Sequence, residues 1–524
     1  MAATDNYELS RLDLQSRLDS AKTRAERNRL GQFATVTDLA KEIVRCAVSR
    51  LPPRSGVRFL DPALGTGAFY SALLRAVPEG RIESAVGYEI DGHYGKESEA
   101  LWAGTGLRVK IEDFTRATPP GVDGGKANLI VCNPPYVRHH HIGAEEKLRL
   151  RGLAERAAGV RLSGLAGLYC YFLCLAHPWM GEGGVAAWLI PSEWMDVNYG
   201  DKVKKYLLSR VTLERVHRFD PLEVQFEGAL VSSAVVLFRN TPPVGTHHVE
   251  FTYGGTLSEP RLSCSVQAEE LRREGKWTRY PHASADKGRS DSGPKLSDLF
   301  KIQRGLATGA NEFFILTEEQ ATRRGIPQEF LMPILPSPRH LTTDEVAADH
   351  DGVPLLDRRL FLLTCDLPEA EVKAKHPTLW AYLREGIESG VNERYLAKHR
   401  SPWYSQEKRP PAPLLCTYMG RNLSKRGGAF RFILNHSKAT AANVYLMLYP
   451  KPALRKELEK NQGLLRSIWE ALNSAPAEAL TCEGRVYGGG LFKMEPKELG
   501  KVSAEELTAL LPPTMRGASA PRLF

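Results

Sequence analysis

The sequence predicts an α/β chain: a doubly wound, mostly parallel sheet over residues 31–240, then a second α/β domain over residues 295–524. Three observations predict it. Short apolar runs alternate with helix-like stretches through the first half. The most distinctive turns and acids all fall just after such runs, where ligands of wound sheets bind. A polar, turn-rich stretch, Ser284–Pro294, then separates this half from one richer in Pro, Arg and aromatics.

The elements follow in order. Residues 1–30 are expected to form an amphipathic helical extension with Leu9, Leu12 and Leu18 on neighbouring faces. Arg58–Leu60 is a strand entering a Gly-rich turn, with a helix running through Ser71–Ala76. Ala85–Tyr88 is a second strand, ending at Glu89. Asn128–Cys132 is a third, ending at Asn133-Pro134-Pro135-Tyr136; Val185–Ile190 and Ser232–Phe238 are further strands. Residues 241–294 are expected to connect the two domains.

Composition narrows the class. The 524 residues are 42% hydrophobic and 25% charged, which excludes a largely disordered chain. No apolar run reaches the ~20 residues of a bilayer span, and Met1–Leu30 alternates acids and bases. The expectation is a cytoplasmic protein without membrane contact. The eight cysteines are scattered without a CxxC pair, so no metal site is expected, and Cys170 and Cys174 should face a core. A net charge of +9 permits a polyanionic partner without demanding one.

Two motifs carry chemistry. Asp61-Pro62-Ala63-Leu64-Gly65-Thr66-Gly67-Ala68-Phe69 joins a strand to a helix, and Glu89 follows the next strand. A carboxylate there can accept hydrogen bonds from two ribose hydroxyls. The turn lacks the GxGxxG spacing, and Asp61 disfavours a pyrophosphate, so the loop better suits a cationic sulfonium with an amino-acid tail. Asp113-Phe114 adds an acid for an adenine amine and a ring to stack on it. Asn133-Pro134-Pro135-Tyr136 is the sharpest signal. Two prolines stiffen the backbone. The Asn133 side-chain oxygen and the Pro134 carbonyl can each accept one proton of an aromatic amine, localising its lone pair toward a methyl donor. Tyr136 would stack on the base. Such a base must leave the duplex, and Phe226 is the candidate for its other face.

These motifs, in this order, resemble the gamma-type adenine-N6 DNA methyltransferases of restriction–modification systems, the Eco57I-like and TaqI-like methylases. Gly31-Gln32-Phe33-Ala34-Thr35 resembles the family segment whose threonine, here Thr35, touches the methionine moiety. The resemblance covers residues 30–500, including Arg304-Gly305-Leu306-Ala307-Thr308-Gly309-Ala310-Asn311 and Tyr487-Gly488-Gly489-Gly490-Leu491-Phe492-Lys493. It implies a Rossmann-like S-adenosylmethionine-dependent domain followed by a target-recognition domain. It also implies cofactor contacts from Thr35, Asp61, Ala63, Gly65, Gly67, Glu89, Ile90, Asp113, Phe114 and Asn133, and catalysis by Asn133, Pro134 and Tyr136. The partner implied is double-stranded DNA, with a cognate restriction endonuclease elsewhere; a monomer is expected because one chain carries all the parts and duplex half-site symmetry is not required. Relatives of the same chemistry act on RNA or protein glutamine, and a DNA-recognition module without catalysis is the remaining alternative.

DNA contacts are expected from Arg138, Lys147, Arg149 and Arg151 after the catalytic loop. In the second domain they are expected from Arg304, Asn311 and Lys493, with Arg421 and Arg426 as further donors and Trp403-Tyr404 able to stack. His139-His140-His141 reads as a loop near DNA rather than a metal site, since consecutive residues rarely converge on one ion.

Overall fold

The computed structural model describes residues 2–78, 80–121, 125–221, 232–282, 293–421, 428–481, 483–487 and 490–512. Two compact units divide the chain: Met1–Arg289 with Tyr487–Gly489, and Ser290–Val486 with Gly490–Phe524.

The first unit opens with helices α1 (Ala2–Ser20), α2 (Arg24–Leu30) and α3 (Thr37–Val48). There follow β1 (Val57–Asp61), α4 (Ala68–Ala76), β2 (Ile82–Tyr88), α5 (Gly92–Leu101), β3 (Leu107–Lys110) and β4 (Ala127–Cys132). Next come α6 (Ala144–Ala158), α7 (Leu168–Leu175), β5 (Met180–Pro191), α8 (Asp201–Ser209), β6 (Thr212–Arg218), β7 (Ser233–Arg239), β8 (His248–Gly255) and β9 (Pro260–Gln267). The nine strands form one sheet in the order β3-β2-β1-β4-β5-β7-β6-β8-β9. The pairings from β3 through β5 are all parallel. The chain runs outward from β1 to β3, then returns to place β4 on the other side of β1. That reversal opens a crevice at the carboxyl ends of β1 and β4. The Gly-rich turn leaves one strand there and the Asn-Pro-Pro-Tyr loop leaves the other.

Central strands are largely apolar because helices cover both faces. Leu129 and Val131 pack on the side of α3 and α4, while Ile130 and Cys132 pack on the side of α6 and α7; all four are fully buried. Cys170 and Cys174 lie in the same α7 core.

Two details differ from the sequence expectation. The N-terminal segment is two helices, not one. Thr23 caps α2 with a reciprocal bond to Glu26, and Gly31 ends it in a left-handed conformation. The buried leucines of α1 are Leu14 and Leu18, whereas Leu9 and Leu12 face solvent. The sheet is mostly parallel, as expected, and its antiparallel pairings lie toward the β9 edge. Strand β7 runs antiparallel to both β5 and β6. Finally, residues 241–294 supply β8 and β9, with β8 parallel to β6 and burying Val249 and Phe251.

The second unit contains a five-stranded sheet in the spatial order Phe300–Arg304, Tyr445–Pro450, Leu414–Thr417, Phe432–Asn435, Glu345–Val346. A three-stranded antiparallel sheet pairs Leu360–Leu363 with Ile315–Thr317 and Leu331–Pro333. Here Trp403-Tyr404 is not a stacking surface. Tyr404 is 1% exposed and donates to the Leu367 carbonyl, and Trp403 packs against Phe313 and Phe314. Aromatic size in a small core outweighed the pattern that suggested insertion. No helix among the described residues is long and apolar enough to cross a membrane.

Candidate active site

A cleft of about 560 Å³ opens at the carboxyl ends of β1, β2 and β4, within the roughly 300–1,000 Å³ typical of small-molecule sites. Of the sequence-predicted residues, Ala63, Gly65, Glu89, Ile90, Asp113, Phe114 and Asn133 line it. Thr35, Asp61, Gly67, Pro134 and Tyr136 do not line it.

The Gly-rich loop turns on glycines. Gly67 has φ +85°, and a Cβ there would lie 2.5 Å from Trp102 Nε1. The loop is fastened to the ribose acid predicted from sequence. Glu89 Oε2 accepts from the Gly65 N–H at 2.9 Å, and Oε1 from the Asp91 N–H at 2.9 Å. Burial raises the Glu89 carboxyl above its usual range, against those two donors. Asp61 is only 1% exposed and turns inward. Its Oδ1 accepts from the Ala63 N–H at 3.0 Å, and burial pushes its carboxyl up to about 7. Its visible task is to fold the loop. Ile90 is 66% exposed and Phe114 is packed among Tyr88, Phe172 and Trp179, so an apolar slot flanks the acids. Asp113 caps the turn after β3 by accepting from the Thr115 N–H.

The charge of the wall is lopsided. Asp19, Glu89, Glu112, Asp113 and Glu146 line the cleft with Arg29; Asp19 is paired with Arg27, Asp113 with Arg116, and Glu146 with Arg116 and Arg149, which leaves Glu89 and Glu112 as the excess. Such a field suits a ligand with sulfonium and ammonium charges and opposes a pyrophosphate. The residues present therefore fit S-adenosylmethionine. Sequence reasoning missed Gln15, Asp19, Arg29, Glu112 and Glu146, because none stands in a recognisable motif.

The catalytic loop rests on the segment before α3. Tyr136 N–H donates to the Gly31 carbonyl at 3.2 Å. Asn133 Nδ2 donates to the Phe33 carbonyl at 3.0 Å and to Thr35 Oγ1 at 3.1 Å. With the amide nitrogen tied back, Asn133 Oδ1 is left buried without a hydrogen-bond partner. Tyr136 donates its hydroxyl to the Leu189 carbonyl at 3.0 Å, and its ring lies 5.7 Å from that of Phe33. Phe226 lies outside the described residues. The ends that flank it, Arg218 of β6 and Ser233 of β7, sit at the carboxyl end of β6, which runs in the same direction as β5.

The basic residues after this loop divide. Arg138 is exposed and Lys147 half-buried. Arg149 turns inward, donating to Thr115 O at 3.0 Å and Thr115 Oγ1 at 2.7 Å and pairing with Glu146. It fastens α6 to the turn that holds Asp113. Arg151 donates to the Leu162 carbonyl at 3.1 Å. In the second unit, Arg304 lies 3.9 Å above the Tyr418 ring and Lys493 lies 5.2 Å from it, the latter also paired with Glu495. Asn311 accepts from the Thr308 hydroxyl at 2.5 Å. Arg421 is exposed, and Arg426 lies outside the described residues.

Comparison with known proteins agrees with this geometry. Residues 95–224 match the family described as Eco57I restriction-modification methylase, and residues 284–512 match the C-terminal domain of the Type II methyltransferase M.Eco57I. The chain is 30% identical over 476 residues to the Type II methyltransferase M.XamI of Xanthomonas campestris pv. amaranthicola, covering 89% of this chain and 84% of that one. It is 25% identical over 491 residues to M.AccI of Acinetobacter calcoaceticus, covering 91% and 85%. Among solved structures, the Type IIL restriction-modification enzyme MmeI in complex with DNA superposes with a TM-score of 0.55 at 12% identity, over 96% of this chain and 79% of that one. That likeness establishes the shared fold.

Proposed function

Because this chain belongs to the Eco57I restriction-modification methylase family of Type II methyltransferases, we propose that it methylates N6 of an adenine flipped out of duplex DNA. S-adenosylmethionine, when bound, supplies an electrophilic methyl group on a sulfonium. Glu89 holds the ribose hydroxyls, Ile90 and Phe114 flank the adenine ring of the cofactor, and Asp113 accepts from its amine.

Asn133 carries the reading. Its buried Oδ1 has no partner while both amide protons are engaged. An unsatisfied buried acceptor costs about 1–3 kcal/mol, and a substrate N–H in that position satisfies it. The Pro134 carbonyl accepts the second amine proton. Held so, the amine lone pair points at the methyl donor, and no strong base is needed before transfer. The methylated amine then sheds one proton to water. Phe226 and Tyr136 are assigned to hold the two faces of the flipped base. The chain acts as a monomer beside a cognate endonuclease in this reading.

The test uses labelled S-adenosylmethionine and unmethylated genomic DNA, followed by separation of nucleosides. Label in N6-methyladenosine is expected. Label in N4-methylcytosine, or only in RNA or protein, overturns the assignment.

The basic residues give a second test. Lys147→Ala is expected to reduce the slope of log affinity for DNA against log salt by about 0.9, the value of one phosphate contact. Arg149→Ala is expected to leave that slope unchanged and to weaken cofactor binding, because its guanidinium is spent on Thr115 and Glu146. Salt titrations of both variants, with cofactor binding alongside, decide it; an equal loss of slope in both would return Arg149 to the DNA surface.

A further inference from the structure

Helix α1 carries a buried ion pair that the reaction above does not use. Glu8 is 5% exposed and Arg11 1%. Arg11 donates to both Glu8 oxygens, at 2.8 Å from Nε and 2.6 Å from Nη2. Burial alone would raise the Glu8 carboxyl, but hydrogen bonds from Arg11, Ser71 and Thr37 hold it at about 2, so the pair stays ionised. A pair this deep is a weak source of stability, since desolvation offsets the attraction. Its other partners indicate what it holds.

Glu8 accepts from Ser71 Oγ in α4 and from Thr37 Oγ1 at the start of α3, each at 2.5 Å. Arg11 Nη1 reaches Thr66 Oγ1 in the Gly-rich loop at 3.3 Å. Thr66 Oγ1 in turn donates to Gln15 Oε1 at 2.6 Å, and Gln15 lines the cofactor cleft. Thr66 stands between Gly65, whose N–H meets Glu89, and Gly67. In the connection that follows α1, Lys22 pairs with Asp91, and the Asp91 N–H donates to Glu89. Both ends of the Gly65–Glu89 contact are thus held from the N-terminal segment.

We propose that Arg11, oriented by Glu8, is a positioning residue for cofactor binding: through Thr66 it fixes the Gly-rich loop against Glu89. The proposal rests on the cofactor reading above. An arginine is required because its planar fork serves the Glu8 carboxylate and the Thr66 hydroxyl together, which a lysine ammonium does not reproduce. The backbone of this turn is held from the other side, by Trp102 Nε1 donating to the Thr66 carbonyl at 3.0 Å and Ser98 Oγ to the Gly65 carbonyl at 2.8 Å, so Arg11 fixes the Thr66 side chain and the loop face toward Gln15.

The experiment is calorimetric titration of the full chain with S-adenosylhomocysteine, below the melting temperature, for wild type, Thr66→Val, Arg11→Lys and the double variant. Each single change is expected to weaken binding by about tenfold, the loss of one charge-assisted hydrogen bond. The double variant is expected to bind no more weakly than the worse single one, because both remove the same link. DNA affinity without cofactor should stay within about twofold, within ordinary variation for sites that do not share partners. Singles that lower the melting temperature yet bind S-adenosylhomocysteine like wild type overturn the proposal, as do losses that multiply in the double. A wild type that binds none overturns the cofactor reading, and this proposal with it.

Discussion

Asn133→Ala is expected to slow methyl transfer by about 10²–10³-fold, the usual loss on removing one preorganised hydrogen-bonding group from a reacting centre. Affinity for S-adenosylhomocysteine should stay within about threefold, since Asn133 is one of many residues that line the cleft. The reasoning starts from the two bonds that tie Asn133 Nδ2 to Phe33 and Thr35. They decide which end of the carboxamide faces the cleft. Asn133→Asp is therefore not a mild change. One carboxylate oxygen would face the Phe33 carbonyl, which has no proton to give, and Thr35 could turn its hydroxyl to only one oxygen. Asp is expected to be nearly as slow as Ala despite its matching shape. Single-turnover rates with labelled cofactor, beside equilibrium binding of S-adenosylhomocysteine, test both. Wild-type turnover in Asn133→Ala would refute the assigned mechanism.

What the sequence made legible was what lies close together in the chain. The Gly-rich loop, Glu89 and the Asn-Pro-Pro-Tyr loop each follow an apolar run, and the order of the strands brings them to one crevice. Features that depend on pairing across the chain stayed hidden. The leucines of α1 suggest its packing face, yet the buried side includes Glu8 and Arg11 along with Leu14 and Leu18. A charged pair interrupts the apolar periodicity and so hides the face that packs. The strands β8 and β9 are hard to tell from a connection: β8 buries Val249, Phe251, Thr252 and Gly254 without strict alternation, and β9 is largely exposed. Arg149 sits in a basic run that suggests phosphate, but Glu146, one turn earlier on the same helix, claims it first. Local charge counting cannot register a partner such as Thr115, thirty-four residues away.

Gly31 joins these two kinds of information, and Gly31→Ala is expected to lower methyl transfer by about 10²-fold, as a displacement near 1 Å in a reacting group can. The glycine has φ +67° where it ends α2. For alanine that conformation costs about 1–2 kcal/mol. Space is the larger obstacle. A Cβ would lie 2.4 Å from Tyr136 N, 2.8 Å from Tyr136 C and 3.0 Å from Pro135 C. All three are backbone atoms of the stiffest loop in the site, so no flexible side chain can yield. Either the α2 cap unwinds or the Asn-Pro-Pro-Tyr loop retreats. Retreat lengthens the bond from Tyr136 N–H to the Gly31 carbonyl and pulls Asn133 away from Phe33 and Thr35. Unwinding moves Phe33 and Thr35 themselves, with the same result at Asn133. Both routes disturb the carboxamide oxygen assigned above to the reaction. Gly164→Ala is the matched control, because a Cβ there meets nothing within 4 Å. Rate measurements on the two variants separate the alternatives. A Gly31→Ala enzyme as fast as Gly164→Ala would mean that the loop has slack, and that the orphaned oxygen of Asn133 is not held in place by its neighbours.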